Sequence, residues 1–163
     1  MNFNDYNGKF TMPKTGRKLN LSIYQEEIID ALIEGRQTIY YRSRMGNSTA
    51  MIYYLFVSML ETPAYKICYI GSNDESVAKF KEDFEKYLSY NLSFLTDKTY
   101  YTDDKGNISF DNESIIEFYT PDTINKAASD YNKVICENYV FQSNDEKQLE
   151  AKLNKNIQYV LEN

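Results

Sequence analysis

The sequence predicts a single α/β domain, a mainly parallel β-sheet flanked by helices. Three observations carry this. Twice, over residues 37–59 and 66–88, a β-branched and aromatic run gives way to a polar loop and then to apolar residues at helical spacing. Alternation of strand, loop and helix builds parallel sheets with right-handed crossovers. The runs KICYI and KVICE are short and apolar rather than alternating, as strands covered on both faces are. At 163 residues, the chain can bury one sizeable core and is too short to divide further.

Residues 1–20 mix Asn, Gly, Lys and Pro without hydrophobic period, and Lys9, Lys14, Arg17 and Lys18 make them locally basic. Residues 1–19 read as a flexible basic arm and residues 20–163 as the folded domain. Ser22 to Gln25 has the form of a capping box, Tyr24, Ile28, Ala31 and Leu32 line one helical face, and Gly35 stops the helix. The run from Gln37 to Tyr41 is a strand ending in the loop RSRMGN, and Ala50, Met51, Tyr54, Leu55 and Met59 mark the helix beyond. The strand KICYI at 66–70 turns through GSND into a helix with Val77, Phe80, Phe84, Tyr87 and Leu88 as its apolar stripe.

Residues 99–112 differ. Short strands around a DDKGN turn predict a hairpin insertion, which leads into the strand SIIEFY. After a loop over 121–132 come the strand KVICE at 133–137, a helix entered through Ser143 or Asn144 with Asp145 and Glu146 in its first turn, and the strand NIQYVLE. There is no internal repeat.

Composition excludes several function classes. Aromatic residues at 15% and charged residues at 26% rule out a disordered chain. Histidine is absent, which removes Ser-His-Asp and Cys-His catalysis together with the commonest zinc ligand; neither zinc nor haem is expected. Cys68 and Cys136 lie inside apolar strands and read as buried free thiols. No apolar run is long enough to span a bilayer, and the start lacks a signal-peptide core, so a cytoplasmic protein without membrane contact is expected.

The net charge of −6 argues against a general nucleic-acid binder. It is unevenly spread: residues 1–71 carry eight Lys and Arg against six Asp and Glu, whereas residues 72–163 carry ten against eighteen. Nucleic-acid contact is therefore expected in the N-terminal half, at Lys9, Lys14, Arg17 and Lys18. The acidic half is a solvated face or a surface for a protein partner.

The loop from Arg42 to Thr49 carries the chemistry. A strand ending in a glycine-containing loop that opens a helix cradles phosphate, because the loop amides and the helix N-terminus point at the anion. In a complete phosphate loop, a Lys after the glycine reaches the β- and γ-phosphates and a Ser or Thr holds Mg²⁺. This chain has Gly46 and Ser48 with Asn47 between them. Arg42, Arg44, Gly46, Asn47, Ser48 and Thr49 are the candidate nucleotide contacts of this loop, and Ser48 is the candidate Mg²⁺ ligand.

The order of these segments resembles the ATPase domain of the large terminase subunit that packages viral DNA. L-x-x-Y-Q-x-x-I-I from Leu21, then a strand, then R-x-R-M-G-x-S-T, then KICYIGSNDESVAKFKEDF carry the resemblance, with VICEN at 134–138 further on. It implies a P-loop NTPase-like fold, with Tyr24 and Gln25 in the place of the adenine-reading motif and Arg42 to Ser48 in that of the Arg-rich Walker A loop. Glu137 stands at the apolar strand that in the family ends in Asp-Glu. Such a core is expected to have the strand at 37–41 central, flanked by the strands at 133–137 and 156–162.

The departures are as informative. Asn47 cannot make the charge-assisted phosphate contact, worth about 1.5–3 kcal/mol. At the second motif Cys136-Glu137 keeps one acid of two: either Glu137 is the base and the metal-holding acid is missing, or it holds the metal and Asn138 stands in the base position. The last strand ends in Glu162-Asn163 where the family has Ser or Thr, and a domain without the family's nuclease is expected. The resemblance therefore implies a catalytically degenerate accessory, regulatory or interaction domain of viral machinery, binding ATP and Mg²⁺ weakly. Two alternatives stand beside it: an active or split packaging motor using Arg42 or Arg44 with Glu137, and an unrelated α/β protein-interaction module.

Overall fold

The computed structural model describes residues 2–163. In chain order the elements are α1 (Ile23–Glu34), β1 (Thr38–Tyr41), α2 (Asn47–Glu61), β2 (Lys66–Ile70), α3 (Asp74–Ser89), β3 (Tyr101–Thr102), β4 (Ile108–Ser109), β5 (Ile115–Tyr119), β6 (Lys133–Glu137), α4 (Ser143–Leu153) and β7 (Ile157–Glu162). The seven strands form one sheet in the order β1-β7-β6-β2-β5-β4-β3. β1, β7, β6, β2 and β5 are parallel. The hairpin β3–β4 adds antiparallel to β5 and forms the far edge.

Local signals account for the helices. Ser22 accepts from the Gln25 amide while the Gln25 side chain accepts from the Ser22 amide, and Gly35 closes α1 at φ 74°. α3 starts from a second such box, Asn73 with Ser76, and buries the five residues of its expected stripe. α4 begins at Ser143 and is preceded by Gln142, which makes no side-chain cap, so Ser143 is the first helical residue rather than the cap.

Alternating residues of the central strands feed two cores. Ile67, Tyr69 and Ile135 face α1, α2 and α3, whereas Cys68, Ile70, Val134 and Cys136 face α4. α2 is buried without a break from Ala50 to Met59, as a helix enclosed on all sides must be. Both cysteines are free, and burial pushes the Cys136 thiol up to about 12 and that of Cys68 well above its usual value.

Two expectations are corrected. β1 is not central: it pairs with β7 alone, which separates it from β6, and no described strand lies on its other side. Hydrophobic pattern reveals a strand but not its neighbour. Nor do residues 2–19 form a free arm; Met1 of the expected arm lies outside the described residues. Phe3, Phe10 and Leu19 are buried, and Phe10 packs its ring against Phe56 at 4.9 Å and Phe94 at 4.6 Å. Thr11 bridges Lys18, and the Asn91 side chain bonds both the amide and the carbonyl of Thr11. Isolated aromatics anchored one by one have no period to read.

Candidate functional site

The loop after β1 is gripped at both ends by the first turn of α1. The Tyr24 hydroxyl accepts from the Arg42 amide, and Gln25 Nε2 donates to the Gly46 carbonyl at 3.2 Å. Gln25 Oε1 meanwhile accepts from the Ser22 amide at 2.9 Å, so its carboxamide serves the helix cap and the loop together. Gly46 must lack a side chain: its φ is 79°, and a Cβ would lie 2.4 Å from Gln25 Nε2. Arg44 also takes the left-handed conformation, at φ 64°, which is costly for a residue with a side chain.

Gly46 places no side chain on the amides of α2. The N–H groups of Asn47, Ser48 and Thr49 therefore begin a long buried helix with the positive end of its dipole open to a cleft. That cleft, about 250 Å³, is lined by Arg44, Asn47 and Ser48 on one side, by Ser76, Lys79, Phe80 and Asp83 of α3 on the other, and by Glu137, Asn138 and Glu162 at the strand ends.

Glu137 stands at the end of β6. Burial raises its affinity for a proton, the hydrogen bond from the Tyr69 hydroxyl at 2.6 Å works against that, and the charge of Glu162 adds to it. Tyr69 is fixed in turn by stacking on Phe80 at 4.1 Å. Asn138, at φ 55°, is committed to structure: its Nδ2 donates to the Tyr41 hydroxyl at 2.7 Å and its Oδ1 accepts from the Glu162 amide at 2.8 Å. It ties the ends of β1, β6 and β7 together.

The structure thus gathers Arg44, Gly46, Asn47, Ser48 and Glu137 about one cleft, with Tyr24 and Gln25 holding its loop from behind. Thr49 is half-buried in the same helical turn. Arg42 is exposed and lies outside the cleft lining. Lys9, Lys14, Arg17 and Lys18 are all exposed, on the folded N-terminal segment. Sequence reasoning missed Ser76, Lys79 and Asp83. Their spacing of three and four puts them on one face of α3, the polar face, which an apolar stripe does not mark.

The cleft fits phosphate through its open amides. For a cation it offers Ser48 from the loop and Glu137 as the one acid of the second motif, with Glu162 at the neighbouring strand end. Among the described residues no three Cys, Asp or Glu side chains converge as a metal site.

No protein-family model matches the sequence, and a search of curated proteins finds no match. Solved structures do match. The large terminase of bacteriophage HK97 is similar with a TM-score of 0.77 at 10% identity, over 98% of this chain and 36% of that one. The UvsW helicase of bacteriophage T4 is similar with a TM-score of 0.70 at 15% identity, over 98% of this chain and 58% of that one. The chain thus spans about a third of the terminase and somewhat over half of the helicase. At such identities the likeness establishes the fold: a terminase- and helicase-like, P-loop NTPase-like α/β domain.

Proposed function

We propose that this P-loop-like domain retains phosphate binding but not efficient hydrolysis, and acts as an accessory or interaction component of viral machinery such as DNA packaging. One observation carries the reading. The loop and the open N-terminus of α2 keep the phosphate-cradling shape, but Asn47 supplies no charge and Cys136 leaves Glu137 as the lone acid of the second motif. Phosphoryl transfer is driven largely by positioning and by neutralising charge on the transferring group. A cleft with two cations, Arg44 and Lys79, against three carboxylates, Asp83, Glu137 and Glu162, neutralises little.

ATP should bind weakly by calorimetry, and phosphate release should be no faster than that of Glu137→Ala. A turnover abolished by Arg44→Ala or Glu137→Ala would make the protein a hydrolase. One feature favours that second reading, an ATPase or part of a split motor: Glu137 is half-buried, held by Tyr69 and raised in proton affinity, as a general base is. In either case the acidic half of the chain suits a basic protein surface or a further copy of this fold, and the exposed lysines and arginine of the N-terminal segment are the proposed contacts to DNA.

A further inference from the structure

We propose that this cleft reads a phosphate chain and not a base, and that Lys79 of α3 supplies from the opposite wall the charge the loop lacks at Asn47. The inference rests on the reading of α2 as a phosphate cradle, and adds the source of its charge and the class of its ligand: a polyphosphate anion, free or as the tail of any nucleotide.

Arg44 and Lys79 are the two cations that line the cleft, and they do so from opposite sides. α3 is held rigidly there. Phe80, next to Lys79, stacks on Tyr69, and Phe84 is fully buried a turn further on. Lys79 pairs with Asp83 at 2.8 Å, but its side chain is 65% exposed and the pair lies within one helix face. Such pairs contribute little, whereas a hydrogen bond between charged groups in a cradle contributes more, so an anion can draw the ammonium away from Asp83. The Asp83 hydrogen bond and charge also hold the Lys79 pKa above its usual value, which keeps it protonated at neutral pH.

Two further facts deny the base a reader. At about 250 Å³ the cleft is smaller than the roughly 300–1,000 Å³ of sites that enclose whole small molecules, so it suits phosphates rather than a nucleoside. The residues in the place of a base-reading motif are given over to structure: the Tyr24 hydroxyl accepts from the Arg42 amide, and the Gln25 carboxamide accepts from Ser22 and donates to Gly46.

Calorimetry at low ionic strength with sodium tripolyphosphate, ATP and GTP tests this on the full chain. All three should bind within about threefold of one another. Lys79→Met should weaken each by about ten- to a hundredfold, the worth of one charge-assisted hydrogen bond. Asp83→Asn, which frees Lys79 and removes a carboxylate, should tighten them. Lys81→Met is the control, because Lys81 lies over the Phe118 ring at 5.1 Å and outside the cleft; it should change nothing. Binding untouched by Lys79→Met but lost in Arg44→Met would overturn the role of Lys79 and leave the cradle standing. ATP bound ten times more tightly than both GTP and tripolyphosphate would overturn the indifference to base. Failure of the unaltered chain to bind tripolyphosphate at all would overturn both this inference and the cradle.

Discussion

Lys133 carries an amine into the interior at the end of β6 remote from the cleft. The residue is 9% exposed, and its Nζ donates to the Leu32 carbonyl at 2.8 Å and to Gln158 Oε1 at 2.5 Å, beneath the Tyr54 ring. Among the described residues no carboxylate pairs with it. Burial, with a smaller push from the charge of Lys155, lowers its pKa to about 8 from 10.5. Between those values the unfolded chain holds the proton more tightly than the folded one, so this residue makes stability rise with pH, by at most about 1.4 kcal/mol per unit. The cost is fully present below pH 8 and gone above 10.5. Over pH 7.5 to 9.5 the buried thiols of Cys68 and Cys136 push stability the other way in both chains, so the effect is read as a difference: the advantage of Lys133→Met over the natural chain in denaturation should shrink as pH rises. Nothing in the sequence marked this residue, since a lysine opening a strand looks the same whether its amine turns outward or in. Asn138 was ambiguous for the same reason: its position was legible, but its commitment to Tyr41 and Glu162 depends on three strands meeting.

At the level of the element, the sequence was most informative where structure is local. The box of Ser22 and Gln25, the stop at Gly35 and the stripe of α3 follow from spacing alone, and each stands where that spacing puts it. Ser22→Ala removes the acceptor for the Gln25 amide and should cost about 1 kcal/mol in denaturant unfolding. Because Gln25 also holds Gly46, the same variant should speed hydrogen exchange at the Gly46 loop more than at the far end of α1. Exchange raised equally along the helix would uncouple the cap from the loop. What could not be read was the assembly of these elements. The place of β7 between β1 and β6, and the docking of Phe10 among α2, α3 and Phe94, are decided by contacts between residues far apart in the chain.

For the molecule as a whole, the folded N-terminal segment changes how its charge is to be tested. Lys9, Lys14, Arg17 and Lys18 are exposed, but Phe10 and Leu19 between them are part of the core. Deleting the segment would unfold what it is meant to probe. Replacing the four by Gln keeps the core and removes the charge. If these residues contact DNA, a mobility shift at low salt should be abolished by the replacement, and the unaltered chain should lose affinity steeply as salt rises. Tight binding that survives the replacement would move the contact elsewhere and favour a DNA-handling motor over a partner protein. Among the described residues no helix is long and apolar enough to cross a membrane. The sheet order has one last consequence, for synthesis. β1 finds its partner in the last strand, with Thr38 opposite Tyr159. A ribosome adding about 5–20 residues per second leaves β1 unpaired for on the order of ten seconds after it is made. The glycine loop that β1 carries therefore takes its final form only once β7 has been made, so the cleft is completed by the last of its strands to be synthesised rather than by the strand that carries the loop.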